Sequence, residues 1–224
     1  MKKLLTKTTI FVVLSLFLTV DLSAQVPFVF NKQGLVLTYA DKNAKNKING
    51  YSETKVVAVE GDNSNCTITY ETMVMDAKKK PVLTKPLEAK VNINNGIVSF
   101  DPSSFAGQMT DGMQITGDNL LLPADASVGD ELNDYAITIA IGPMKTTTNF
   151  SKVSVLAEET IDVGGTPINC LVVESTSLTK VIGIKQEMIQ KIWYGRGIGP
   201  VKTETYNNKR KLQSVQELIE IQGL

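Results

Sequence analysis

The chain has 224 residues, of which 42% are apolar and 21% charged, with 23 basic and 23 acidic side chains. This balance excludes the basic surface of a nucleic-acid-binding protein, so we expect no nucleic-acid partner. The chain contains no His, the commonest general base and the commonest metal ligand. We therefore expect no enzymatic activity, no cofactor and no metal site, although carboxylate or lysine chemistry stays open.

The first 24 residues have the pattern of a secretory signal peptide. Three lysines within the first seven residues precede an apolar run from Ile10 to Val20, and the small residues Ser23 and Ala24 precede Gln25. The run is too short to span a membrane. We predict cleavage after Ala24 and a periplasmic or secreted protein, without a lipid anchor because no Cys lies near the cut. Residues 25–224 would form a single all-β domain of net charge −2, since the signal removes three Lys and one Asp.

Short segments rich in Val, Ile, Thr and aromatic residues, separated by turn residues, fill the rest of the chain. Many such segments indicate a large antiparallel sheet, a sandwich or a partial barrel. Asn95-Gly96 predicts the clearest hairpin, because both residues tolerate positive φ. The predicted strands span residues 28–39, 51–60, 66–76, 89–93, 97–100, 135–141, 145–157, 168–175, 186–194, 201–206 and 212–221.

Helix candidates are few. Residues 103–109 could form one turn, and residues 215–221 are ambiguous between a strand and a short helix. Residues 101–134 are the part richest in Gly, Pro and Asp. We interpret them as a crossover between two halves of one sheet.

Two predicted strands carry informative alternation. In residues 66–76 the positions Cys66, Ile68, Tyr70 and Val74 form one apolar face, whereas residues 168–173 are apolar on both faces. A strand buried on both sides needs cover from another layer, a partner or a ligand. A second layer of the same domain and an apolar ligand cavity both remain open.

The stretch WYGRGIGPVK, from Trp193 to Lys202, superficially suggests a phosphate-binding loop. Its glycines lack the G-x-G-x-x-G spacing, and residues 201–206 alternate as a strand does rather than beginning a helix. The pattern instead predicts a tight or bulged connection between two strands. Trp193 and Tyr194 at its mouth are either core and rim residues or a ligand platform.

Charged clusters give no specific chemistry. Four acids in residues 125–134 lack the alternating spacing of a calcium loop, and adjacent Glu158 and Glu159 would point to opposite faces of a strand. Lys78, Lys79 and Lys80 predict a solvated hairpin tip, or a contact with anionic lipid. We assign no catalytic, cofactor-binding or metal-binding residue, and the ligand-binding residues stay unknown. The four acids are Asp125, Asp130, Glu131 and Asp134.

Cys66 and Cys170 each lie in strand-like sequence. Export to an oxidising compartment permits a disulfide between them. Two buried, reduced cysteines that act as small hydrophobes are the other interpretation. A redox-active pair is not expected, because the chain has no Cys-x-x-Cys.

The WYGRGIGPVK stretch resembles the signature of a set of exported β-roll proteins of Gram-negative bacteria, a domain of unknown function sometimes labelled TapB-like. Two further stretches resemble the same set: Leu122-Pro123 with the subsequent Val128–Leu132, and residues 160–170. The sequence departs from the usual signature at Gly195, where Ala is common, and at Pro200, where Leu is common. The resemblance implies a curved antiparallel sheet, a β-roll or half-barrel with few or no helices. It is also similar in outline to periplasmic half-barrel lipoprotein carriers, and it brings no activity or functional residue.

These observations leave three hypotheses for the function. The first is an exported, non-catalytic β domain that binds a lipid, another hydrophobic ligand or a peptide on a curved sheet. The second is a structural or assembly partner of an outer-membrane complex, with an envelope protein as partner. The third is a carboxylate-based hydrolase, which requires two carboxyl groups facing each other across a cleft.

Overall fold

Antiparallel strands form the regular structure of the protein in a computed structural model, which describes residues 26–100, 113–181 and 184–223. Every regular element within these residues is a strand, and none of them forms a helix long and apolar enough to cross a membrane. The predicted signal peptide and the helix candidate at residues 103–109 lie outside the described residues. The strands are β1 (Val36–Asn43), β2 (Ile48–Gly61), β3 (Asn65–Asp76), β4 (Leu87–Asn94), β5 (Ile97–Phe100), β6 (Met113–Gly117), β7 (Leu121–Pro123), β8 (Tyr135–Ile141), β9 (Met144–Val163), β10 (Thr166–Val181), β11 (Ile184–Gly195), β12 (Gly199–Asn207) and β13 (Leu212–Gln222).

The strands form one open sheet in the order β6-β8-β9-β10-β11-β12-β13-β1-β2-β3-β4-β5-β7. Its two edge strands, β6 and β7, are consecutive in the chain and are joined by only residues 118–120. Laid flat, thirteen strands would place the edges about 58 Å apart, whereas a three-residue connection spans at most about 14 Å. The sheet must therefore roll up until its edges approach each other. The predicted large, curved antiparallel sheet is confirmed.

The segment between β5 and β8 carries the chain across the opening of this roll. Its described part, residues 113–134, contains β6 at one edge and β7 at the other. The predicted crossover between two halves of one sheet is confirmed for residues 113–134, while residues 101–112 lie outside the described residues. Residues 215–221, ambiguous in the sequence, belong to strand β13.

The predicted hairpin at Asn95-Gly96 joins β4 to β5. Asn94 pairs with Ile97, and the two turn residues have φ angles of 51° and 76°. Both values lie in the left-handed region that a two-residue hairpin turn requires and that Asn and Gly tolerate best. The local sequence therefore sets the register of this edge of the sheet.

One predicted strand is wrong in its first half. Residues 28–39 were expected to be one strand, but β1 begins only at Val36. Residues 26–35 instead cross the inside of the roll, where Phe28, Val29, Phe30 and Leu35 are buried. Their apolar, β-prone composition gives the same local pattern as a strand, although they fill the interior rather than pair with a neighbour. We call residues 26–35 the N-terminal segment.

Strand β10 separates two hydrophobic clusters. Ile168, Cys170 and Val172 belong to the larger one, while Leu171 and Val173 belong to the smaller one. The smaller cluster covers β10 with Phe28 of the N-terminal segment and with Leu122 and Ala126 of the crossover. Both faces are thus covered from within the same fold, which confirms the interpretation of a second layer for this strand.

Candidate functional site: an aromatic cleft inside the roll

A half-open cleft of about 430 Å³ lies within the roll. Strands β1 to β5 form one wall, and β8, β11, β12 and the crossover form the other. This volume is in the range of small-molecule pockets in proteins. Half of the chain's 14 aromatic residues line it. These are Phe28, Phe30, Tyr39, Tyr70, Phe100, Tyr135 and Tyr194.

Tyr39 and Tyr70 are held rigidly in the wall of the cleft. The Tyr39 hydroxyl donates to the carbonyl oxygen of Pro200 at 2.8 Å, and the Tyr70 hydroxyl donates to the carbonyl oxygen of Phe30 at 2.8 Å. The rings of Phe30 and Tyr70 stack with centroids 4.3 Å apart. Because both hydroxyl hydrogens are committed, each phenol oxygen retains only acceptor capacity.

Tyr135 and Tyr194 form part of the opposite wall. The Tyr135 ring stacks on Phe150 with centroids 4.3 Å apart. Burial raises the pKa of Tyr135 to about 12 and raises that of Tyr194 further still, because an apolar environment disfavours the phenolate. The tyrosines of this wall are therefore neutral near neutral pH and present unionised rings to the cleft.

Six described polar side chains other than tyrosine line the cleft: Ser52, Thr54, Thr72, Asp118, Asn119 and Gln216. Asn119 donates through Nδ2 to the Ser99 hydroxyl at 2.8 Å, and Gln216 donates through Nε2 to Asp41 at 2.9 Å. The buried Asn119 Oδ1 has no hydrogen-bond partner within the part of the chain that the structure describes. Asp118 is the one carboxylate among the described lining residues. A buried acceptor without a partner is costly and uncommon.

The WYGRGIGPVK stretch forms the β11–β12 hairpin, with a register shift between Trp193 and Tyr194. The predicted tight and bulged connection is confirmed. A Cβ on Gly195 would lie 2.7 Å from the Ile168 side chain. Only glycine therefore fits at this position without a movement of the neighbouring side chain.

The turn of this hairpin fastens the N-terminal segment across the roll. Arg196 donates to the carbonyl oxygens of Val26 at 3.2 Å and Ala124 at 2.5 Å, and its guanidinium lies 4.2 Å from the centre of the Phe28 ring. The amide of Gly197 donates to the carbonyl oxygen of Pro27 at 2.8 Å. These contacts place Phe28 and Phe30 at the base of the cleft.

Trp193 and Tyr194 have different roles. Trp193 is buried in the larger cluster, where its indole N–H donates to Glu159 at 2.8 Å and the Lys202 ammonium lies 4.7 Å from the ring centre. Tyr194 lines the cleft. The core interpretation therefore holds for Trp193, whereas Tyr194 faces the ligand-sized space.

The structure places the predicted acidic residues in loops and on separate faces of a strand. Asp130 accepts from the Ser127 amide at 2.9 Å, and Asp134 accepts from the Lys152 amide at 3.1 Å. Glu131 and Asp134 share a shallow groove with Lys152, outside the aromatic cleft. Within the described residues, no group of three or more acidic or cysteine side chains could hold a metal ion. The remaining predicted acid, Asp125, is exposed.

Glu158 and Glu159 lie on opposite faces of β9, as predicted. Glu158 is opposite Leu171 in the neighbouring strand, and Glu159 is opposite Cys170. The two carboxylates therefore do not form a pair.

The lysine run and the cysteines have structural roles of their own. Lys78, Lys79 and Lys80 form an exposed turn after β3, in which Asp76 accepts from the amides of Lys78 and Lys80.

Cys66 and Cys170 are buried free thiols in the larger cluster, so the reduced interpretation holds in this structure.

Solved structures share this open, rolled antiparallel sheet. A Bacteroides fragilis protein classed as exported, with a YmcC-like fold, matches with a TM-score of 0.74 and 19% identity over 88% of this chain and 100% of that one. A Parabacteroides distasonis protein classed as a lipoprotein matches with a TM-score of 0.75 and 17% identity over 88% of this chain and 99% of that one. The fold of this chain is therefore YmcC-like.

The chain belongs to the DUF3108-like family, whose model matches residues 32–218. No curated protein matches the chain. The resemblance to exported proteins of this fold is thus supported at the level of family and fold, while the TapB-like label stays a prediction.

Sequence reasoning missed most of the cleft. The alternation of β3 placed Tyr70 on the inward face with Cys66 and Ile68, and that much is confirmed. The other aromatic residues come from strands far apart in the chain, and Arg196 gave no signal beyond its place in a turn. Aromatic residues make up only 6% of the chain, so the composition gave no signal of the cleft either.

Proposed function

We propose that this protein is exported to the bacterial envelope and binds, without catalysing a reaction, a hydrophobic ligand in the aromatic cleft. The observation that carries the proposal is the cleft itself, about 430 Å³ in volume and lined mainly by apolar and aromatic side chains. Such a concave apolar surface, left unfilled by side chains, is typical of small-molecule sites. The amino-terminal signal pattern and the exported or lipoprotein classification of structures with the same fold support the location.

The proposal is tested by filling the cleft. Ser52 lies in its wall, and the next residue, Glu53, is exposed on the same strand. We expect Ser52→Trp to weaken binding of the fluorescent probe N-phenylnaphthylamine at least about tenfold, because the indole occupies space that the ligand needs. Glu53→Trp introduces the same side chain on the other face and should leave probe affinity unchanged.

Both variants are first checked for cooperative urea unfolding. Equal probe affinity of the wild type, Ser52→Trp and Glu53→Trp would contradict binding in the cleft. If the wild-type protein binds neither the fluorescent probe nor decanol, this result would contradict the proposed function as a whole.

A second candidate function is supported by the edges of the sheet. In the described part of the chain, β6 and β7 each pair on one side only, and Leu121 on β7 is 42% exposed. Open edges can accept a strand from a partner, as in an envelope assembly. Deletion of the gene should then lower the amount of at least one other envelope protein, measured by quantitative proteomics. Unchanged levels of all envelope proteins would remove this candidate.

A further inference from the structure

Among the described residues, the cleft is lined by aromatic rings and one carboxylate and by no basic side chain. Its walls carry three phenylalanine and four tyrosine rings, and the face of an aromatic ring has negative electrostatic potential. One face of Phe28 already has the Arg196 guanidinium at 4.2 Å, and Phe30 and Tyr70 stack on each other. Among the described residues no Lys or Arg lines it. Residues 101–112 and 182–183, which separate the described ranges, contain no Lys or Arg in their sequence either.

Apart from the Asp118 carboxylate, the described polar atoms of the cleft are uncharged, and hydroxyls that can both donate and accept remain at Ser52, Thr54, Thr72, Tyr135 and Tyr194. The hydroxyls of Tyr39 and Tyr70 donate to backbone carbonyls, while Asn119 and Gln216 donate to Ser99 and Asp41. The acceptors that a ligand in the cleft could reach include the phenol oxygens and the exposed carboxylate of Asp118.

The charge of the cleft lining should discriminate between positively and negatively charged headgroups. A carboxylate that enters the cleft would lose water without gaining a cationic partner among the described lining residues, and removing an unpaired ion from water is unfavourable. An ammonium group would gain the aromatic faces and the Asp118 carboxylate, both of which attract cations. The same apolar chain should therefore bind better with a positive head than with a negative one.

We propose, resting on the proposed function, that the ligand of the aromatic cleft is a cationic amphiphile, an apolar chain that ends in an amine or a quaternary ammonium group, and not a fatty acid. The chain lies against the aromatic rings that line the cleft, and the head lies near Asp118. This assigns a class of ligand to the aromatic cleft.

Three probes with the same ten-carbon chain test the assignment: decyltrimethylammonium, decanol and decanoate, each below its micellar concentration at neutral pH. Isothermal titration of the purified protein should give decyltrimethylammonium an affinity at least about tenfold higher than that of decanoate, with decanol between them. Asp118→Asn should lower the ammonium affinity about three- to tenfold and change the decanol affinity by a clearly smaller factor. The matched control Asp125→Asn removes the same charge from an exposed position outside the cleft and should change neither.

The possible failures are distinct. Binding of decanol and decanoate with no preference for the ammonium probe would overturn the cationic assignment and leave a hydrophobic site. An equal loss of ammonium affinity in Asp118→Asn and Asp125→Asn would overturn the role of Asp118, since it would reflect net charge alone. Binding of none of the three probes would overturn the proposed function together with this inference.

Discussion

Arg196 connects three parts of the fold that are distant in the chain, and its replacement by Ala should measure what that connection contributes. The side chain bonds to the carbonyl oxygens of Val26 and Ala124 and lies over the ring of Phe28. Because Arg196 is exposed, we take low values for each contact: about 0.7 kcal/mol for each hydrogen bond and about 0.5 kcal/mol for the cation–π contact. Arg196→Ala should therefore lower the free energy of unfolding by about 2 kcal/mol.

The assay is urea unfolding followed by the fluorescence of Trp193, which is buried in the larger cluster. Arg210→Ala is the matched control, because Arg210 is 63% exposed and pairs with Glu174 at the surface, so its loss should cost clearly less than the loss of Arg196. Arg196→Lys keeps the charge but cannot bridge two carbonyls in the same planar geometry, and it should recover only part of the loss. A change below about 0.5 kcal/mol in Arg196→Ala would refute the claim that this side chain fastens the N-terminal segment.

Tyr70→Phe should cost about 1–2 kcal/mol of stability in the same assay, because it leaves a buried backbone carbonyl without its donor while keeping the ring stack; an unchanged midpoint would contradict this. Burial raises the pKa of Cys66 and raises that of Cys170 to about 11, so both thiols should react with Ellman's reagent slowly in the native protein and rapidly in urea. Fast native reaction, or two missing thiols after unfolding, would argue against the buried, reduced pair. The hydrogen bond from Arg210 holds the pKa of Glu174 below its usual value. The stability that Glu174 contributes should thus be complete above about pH 4.3 and disappear as the pH falls through the lower folded-state pKa; Glu174→Gln should flatten this acid limb, and an identical pH profile would refute the assignment.

The sequence predicted the architecture because strands are set by local rules. Residues 66–76 alternate with the period of two that a strand requires, and Asn95-Gly96 supplies the backbone geometry of a two-residue turn. Residues 168–173, apolar on both faces, correctly indicated a strand covered on both sides. Each of these signals lies within a dozen residues of sequence.

The cleft could not be predicted in the same way. The N-terminal segment has the composition of a strand, and only tertiary packing decides that Phe28 and Phe30 fill the roll instead of extending β1. Tyr39 and Tyr194 meet across the cleft because the sheet rolls, and the extent of that roll depends on strand order and on the short connection at residues 118–120. Strand order is a property of the whole chain, so neither residue carried a local signal of its role.

The most direct test of ligand binding in the aromatic cleft is native mass spectrometry of the protein purified from its own envelope without detergent. We predict an added mass of lipid size that is lost on denaturation and reduced in Ser52→Trp but retained in Glu53→Trp. Only the bare mass of the polypeptide, found equally in the wild type and both variants, would contradict ligand binding in the aromatic cleft.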